Sequence, residues 1–549
     1  MVYCGKPSKG CYQCRRRKIK CDQGEPSCGQ CTRANHKCPG YRDQLDLLFR
    51  DETSKVARKA REAPQHANPS RFQYPIRSKA QASSAVKEEE LTCRKPPLKS
   101  KKDPLLYNSS PFFSRPLSLE LKHQALCFFV ARYAPPSKLI RHSSSSYPPL
   151  AKSTTDNNET LLVCMTAVGL ASLSNITKTK AMRLAAGEQY SHALALLSRR
   201  LQNPVYAKSL ATLDSVMLLG LFEVITCRGP QSLQSWRSHM QGATALLKLS
   251  DKDTSREPGS LRTFVQVRGQ IISGCLAAET YAPPSVAAPL TLDRSSVTPS
   301  EIGIESLTAL LTKLANLRAS IKEGVISCPS KVLQMTLSLR DDLISFQESV
   351  ESRYVFQKVK NKDGESAFLP ADFVYGDHFH VFSNFLCVGL WNGYRAGRIT
   401  LSATISKAFR ELEKSGASIP DDIREQYERD QLDIDPIARE ICSSLPFALG
   451  MVCWESDTVS LNPAGASALG GFLLLWPLYL AAEASPTTPG LQEWIVKRFE
   501  YIGHVLGINQ ALWMAQLIKE KASLDKEIAL EPSSPQNCEL VLGELSTRM

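Results

Sequence analysis

Residues 11–38 read CYQCRRRKIKCDQGEPSCGQCTRANHKC, with cysteines at Cys11, Cys14, Cys21, Cys28, Cys31 and Cys38. The gaps between them are two, six, six, two and six residues, and adding 17 to the first three positions gives the last three. One small unit is therefore written twice. Thiols grouped at this spacing point to metal, because a structural zinc takes four ligands, usually cysteine thiolates or histidine nitrogens. Two independent four-thiolate sites would need more than the six cysteines grouped here. Three arrangements fit: one zinc with two idle cysteines, two zincs completed by other ligands, or two zincs sharing two thiolates. His36 sits inside the last gap, out of step with the repeat, and reads as a solvated side chain.

The halves differ in charge. Between Cys14 and Cys21 the chain reads RRRKIK, five basic residues in six, whereas TRANHK after Cys31 holds two. Each half reads as a short helix held by thiolates and followed by extended chain, with Gly24-Glu25-Pro26 turning the second half back. So small a unit has almost no apolar core, and its stability must come from metal. The first helix is the one to set against a polyanion. The chain as a whole carries a net charge of +13. Residues 1–102 hold 24 Lys and Arg against 10 Asp and Glu, so the excess lies entirely in the N-terminal fifth. Basic charge confined to one end is a footprint of nucleic-acid binding.

On these residues the stretch resembles the fungal Zn2Cys6 binuclear-cluster domain, the DNA-binding module of a large class of fungal transcription factors. Every cysteine of its pattern, Cys-x2-Cys-x6-Cys, a loop, then Cys-x2-Cys-x6-Cys, is present. The resemblance implies two zinc ions bridged by Cys11 and Cys28. Cys14 and Cys21 would complete one site, Cys31 and Cys38 the other. It also implies double-stranded DNA as partner, with Arg17 and Lys18 reading base edges, typically of a CGG triplet, and Arg15 and Lys20 on phosphates. Lys or Arg on guanine O6 and N7 is the commonest specific base contact.

Beyond Cys38, Leu45, Leu48 and Phe49 suggest a short amphipathic helix ended by Pro64. No a/d heptad continues past Phe49, so the coiled coil with which many members of that family pair is not visible, and homodimerisation stays open. Residues 64–116 are rich in proline and poor in large apolar side chains, the composition of a flexible linker. Within it Arg94, Lys95, Lys99, Lys101 and Lys102 form a candidate nuclear-import run.

From about Leu117 the pattern becomes helical. Ala186, Tyr190, Ala193, Leu197 and Leu201 share one helix face, which Asn203-Pro204 ends. A second helix is expected from about Tyr206 to Arg228-Gly229-Pro230. A third puts Trp236, Met240, Ala243 and Leu247 together, and another near the C-terminus carries Ile495, Phe499, Ile502 and Leu506. Breaks are expected near 251–260, 281–300 and 357–372. Gly465 to Ala482 is the most apolar stretch, but its glycines, Pro477 and missing basic flank suit a buried helix better than a membrane span. The N-terminus shows no signal-peptide run. The segment Trp236 to Leu249 resembles part of the helical regulatory region of many fungal factors.

Phosphate-binding glycine loops, Gly-x-Ser-x-Gly and His-Glu-x-x-His are missing from the sequence, and no catalytic residues are assigned. Asp377-His378-Phe379-His380 reads as loop surface, and the eleven cysteines outside the cluster as small apolar residues in a reducing compartment. The expected protein is mainly α. It has a Zn2Cys6 DNA-binding domain over 1–42, an amphipathic helix and disordered basic linker over 43–116, an all-helical regulatory domain over 117–530 and a flexible tail over 531–549. The function expected is non-enzymatic: a nuclear, sequence-specific regulator of RNA polymerase II genes that engages the transcription machinery and no membrane. The alternative is a metabolite-binding helical protein or enzyme carrying a DNA-targeting zinc module.

Overall fold

The computed structural model describes residues 11–38, without 18, 23, 25–26 and 37, and residues 120–530, without 134–155, 250–259, 289–298, 352–355, 362–368, 456–457, 463–465 and 486–487. The chain divides into two units, Met1–Asn108 and Ser109–Met549. Lys18, the amphipathic helix and linker of 43–116 with its import run, and the tail of 531–549 lie outside the described residues.

In the first unit the seventeen-residue repeat extends from the cysteines to the backbone. Helix α1 spans Tyr12–Arg16 and α2 spans Gly29–Arg33, offset by 17 at both ends. Arg17 N donates to Gln13 O and Ile19 N to Cys14 O, both at 3.0 Å. In the second half Ala34 N donates to Gln30 O at 3.3 Å and His36 N to Cys31 O at 2.9 Å. Each helix thus ends in the same folded-back turn, at residues 17 positions apart. Asp22 fixes the start of α2, its Oδ2 accepting from Gly29 N at 2.9 Å. A Cβ on residue 29 would lie 2.6 Å from that oxygen, so glycine is what lets the carboxylate close in. Asp22→Ala should cost about 1 kcal/mol, in the range of lost helix caps. That corresponds to about a five-fold lower chelator concentration for half-removal of zinc, measured by titrating the full chain with EDTA. An unchanged midpoint would remove the cap from the account.

The second unit is built of long helices. Helix α3 is Leu121–Tyr133, α4 Asp156–Thr177, α5 Lys180–Leu201, α6 Leu210–Ile225 and α7 Pro230–Leu249. Next come α8 (Ser260–Ala278), α9 (Pro299–Lys322) and α10 (Pro329–Glu351). Strands β1 (Phe356–Lys360) and β2 (His378–Phe382) lead into α11 (Phe385–Lys414) and α12 (Asp421–Ser443). Strands β3 (Val452–Glu455) and β4 (Thr458–Leu461) precede α13 (Ala468–Ala484), α14 (Leu491–Val505) and α15 (Asn509–Leu530). Helix α4 packs on α3, α5 and α6, while α11 packs on α9, α10, α12 and α13.

The expected helices are present, with boundaries set by caps. The second of them starts at Leu210, not Tyr206. Asn203 caps a separate single turn over Pro204–Ala207, and Ser209 then accepts from Thr212 N to open α6. Eleven of the sixteen residues of α6 are buried, as a helix apolar on nearly every side requires. Gly169 lets α4 approach α3: a Cβ there would sit 2.1 Å from Ala125 O. The apolar stretch near the C-terminus forms α13, with Pro477 inside it and Leu474 and Leu478 fully buried. Glu159–Thr177 on α4 is long and apolar enough to cross a membrane by composition, but 67% of it is buried inside the protein.

The chain is mainly α, yet an all-helical C-terminal region needs one correction. Among the described residues two antiparallel two-stranded hairpins interrupt it, β1 with β2 (Phe356 opposite Phe382) and β3 with β4 (Val452 opposite Leu461). Four of the five β2 residues are buried, so the polar-apolar alternation that advertises a strand is missing there.

Candidate metal centre and nucleic-acid interface

The six cysteines form two overlapping tetrads. Cys11, Cys14, Cys21 and Cys28 make one, and Cys11, Cys28, Cys31 and Cys38 the other, with the sulfurs in each within 4.8 Å of one another. Both contain Cys11 and Cys28. The Sγ–Sγ distances Cys11–Cys28, Cys11–Cys31 and Cys14–Cys28 are all 3.7 Å. A tetrahedral zinc with bonds of about 2.3 Å sets its sulfurs about 3.8 Å apart. Disulfide sulfurs would lie at about 2.05 Å, and all six cysteines are free. The residues therefore fit two zinc ions sharing an edge.

The thiols are the interior of this unit. Cys11 and Cys28 are 0% exposed, and among the described residues the unit's buried cluster is made of cysteines alone. Burial, followed by contacts among the sulfurs, raises the thiols of Cys14 and Cys31, the latter to about 12. Zinc must displace those protons to bind, and in doing so it supplies the cohesion an apolar core supplies elsewhere. His36 is exposed and belongs to neither tetrad.

Of the residues expected at DNA, Arg17 and Lys20 are exposed, as is Arg16 between the metal ligands. Arg15 lies on α1 one residue past the ligand Cys14. Ile19 is also exposed, so the described residues that leave α1, Arg17, Ile19 and Lys20, present their side chains outward. Seventeen positions on, Arg16, Arg17, Ile19 and Lys20 correspond in the sequence to Arg33, Ala34, His36 and Lys37.

A second group that reasoning from the sequence set aside lies in the helical unit. His378 and His380 sit on β2, not on loop surface, and gather with Glu440 of α12 within 4.8 Å. His380 is 0% exposed, and its Nε2 lies 3.3 Å from Glu440 Oε2. Arg395 Nη2 reaches the same oxygen at 3.0 Å and Lys358 Nζ the other at 2.7 Å. With two cations already on Glu440, the group acts as a charge hub joining β1, β2, α11 and α12. Burial first, then Arg395, Lys358 and His378, pushes His380 down to about 2, so it is neutral at physiological pH. The clue in the sequence was the two-residue spacing of the histidines, which places both on one face of a strand.

Comparison with known proteins settles the family. The profile described as "Fungal Zn(2)-Cys(6) binuclear cluster domain" matches residues 9–47, and "Fungal specific transcription factor domain" matches residues 128–272. The chain belongs to the fungal Zn2Cys6 transcription factor family. This Zn2Cys6 factor is 24% identical over 349 residues to "Transcription factor dbaG" of Emericella nidulans, covering 60% of this chain and 74% of that protein. No solved structure matches it. The Zn2Cys6 factor is accordingly a DNA-binding transcription factor that carries two zinc ions held by cysteines.

Proposed function

We propose that this protein is a zinc-stapled reader of CGG-type sites that regulates RNA polymerase II genes from the nucleus without enzymatic activity of its own. The observation that carries the reading is the pairing of a duplicated backbone with one-sided charge. Both halves end in the same hydrogen-bonded turn, yet the first places five basic residues around its turn and the second two. In this reading Cys11 and Cys28 bridge the metals, Cys14 and Cys21 complete one site, and Cys31 and Cys38 the other. Arg17 and Lys18 face base edges, and Arg15 and Lys20 face phosphates. Residues 1–42 form the DNA-binding domain, 43–116 a linker whose Arg94, Lys95, Lys99, Lys101 and Lys102 direct nuclear import, 117–530 the regulatory domain and 531–549 a tail. The transcription machinery and a second copy of the chain are its proposed partners.

Selection of bound DNA from a random pool with the full chain tests the site class; enrichment of sequences lacking CGG refutes it. Arg17→Ala should cost about 1–3 kcal/mol on the preferred site and relax preference at one base pair. Lys20→Ala should instead weaken all sequences alike and reduce the salt slope by about one. Equal, sequence-independent losses in both variants would overturn the division of labour.

A further inference from the structure

A pocket of about 610 Å³ opens among α6, α7, α8, α9, α11, α13 and α15 of the helical unit. Its size falls within the range of small-molecule sites, about 300–1,000 Å³. Three of the chain's six tryptophans, Trp236, Trp476 and Trp513, contribute to its wall from three different helices. Indole faces offer flat apolar area with little conformational freedom to lose, which suits ring systems. Among the described lining residues Arg237 alone is charged, and no carboxylate lines the pocket. A cationic guest would find no counter-charge there; a neutral or singly anionic one is accommodated.

The pocket is also kept open at a cost. Gly269 lies inside α8 and Gly389 inside α11, where glycine is less favourable than alanine by about 1 kcal/mol. Neighbouring glycines have packing reasons: a Cβ on Gly397 would lie 2.5 Å from Leu311 Cδ2, and one on Gly274 3.1 Å from Trp236. Gly269 and Gly389 have none, since a Cβ at either would meet nothing within 4 Å. Both line the pocket, so a side chain at either position would take up its space.

We propose that this pocket binds a small, largely apolar organic molecule with at least one ring system and no more than one negative charge. The rings lie against the tryptophans and an acidic substituent is placed at Arg237. The proposal stands apart from the DNA-reading assignment, because it concerns the helical unit and its test reads no DNA.

The test uses the zinc-loaded full chain and two probes: 1-anilinonaphthalene-8-sulfonate, and N-phenyl-1-naphthylamine, the same ring system without the sulfonate. Each should bind saturably at one molecule per chain, with quenching of tryptophan emission by energy transfer to the probe. Gly389→Leu and Gly269→Leu should each weaken both probes at least ten-fold while the melting temperature holds or rises. Arg237→Gln should weaken the sulfonate probe about five-fold and leave the neutral one unchanged. Undiminished binding in folded leucine variants would overturn the proposal. So would failure of both leucine variants to fold, which would mean the space is packed, or failure of the native chain to bind either probe. Equal effects of Arg237→Gln on the two probes would overturn the placement of the acidic substituent.

Discussion

Cys28→Ser is expected to strip both zinc ions from the chain, whereas Cys38→Ser should leave one largely in place. Cys28 belongs to both tetrads and lies 3.7 Å from Cys11 and from Cys14. Cys38 belongs to one tetrad and is only partly buried. A serine hydroxyl does not replace a thiolate, so losing the shared sulfur leaves each metal short of a ligand. Structural zinc in small domains is worth about 10–16 kcal/mol of apparent binding free energy, and that energy is the folding energy. Among the described residues of the unit the cysteines are the only buried cluster, so their loss removes the packing between α1 and α2. Zinc per chain by mass spectrometry should fall from about two to near zero for Cys28→Ser, and DNA binding should vanish with it. Retention of one zinc by both variants would show two unshared sites.

Arg395→Met should destabilise the helical unit by about 3 kcal/mol, read from the urea midpoint of the full chain. Arg395 is 3% exposed. Its guanidinium donates to Glu440 Oε2 and Asn392 Oδ1 and lies over the rings of Phe356 and Trp391. Methionine restores much of the volume but none of the charge. Removing one partner of a buried pair costs roughly 3–5 kcal/mol, because the other charge is left unpaired. Glu440 keeps Lys358 and some solvent, which places the loss at the lower end of that range.

The same variant carries a pH signature. His380 titrates near 6.5 when unfolded and is pushed down to about 2 in the fold. Its contribution to stability is therefore complete above about pH 6.5 and is lost as pH falls toward 2, by at most about 1.4 kcal/mol per unit. Removing the neighbouring guanidinium lets His380 accept a proton more readily, so Arg395→Met should flatten this acid limb. A variant within about 0.5 kcal/mol of the native chain, the spread usual for surface substitutions, with an unchanged acid limb, would contradict the hub.

What the sequence revealed and what it hid divide along range of interaction. The metal unit was legible because its ligands recur within 28 residues at fixed gaps, and metal geometry tolerates few other readings. Helices such as α5 and α14 were legible because their apolar periodicity is local. The start of α6 was misplaced because Asn203 and Ser209 each cap a turn, and periodicity runs through both. The β1–β2 hairpin was hidden because its strands lie seventeen residues apart, far beyond the two to five residues of an ordinary hairpin loop, and β2 is buried on both faces. His380 looked like surface because its partners are far away in sequence: Arg395 on α11 and Glu440 on α12. The pocket belongs to no segment at all, being the space that seven helices leave between them.

The backbone duplication bears on how this protein can read a directional sequence. A CGG triplet has a 5′ and a 3′ end, but a scaffold whose two halves share the same turns offers DNA two nearly interchangeable faces. Polarity must then come from side chains alone. On the proposed assignment, the run of arginines after Cys14 decides which of them is the front.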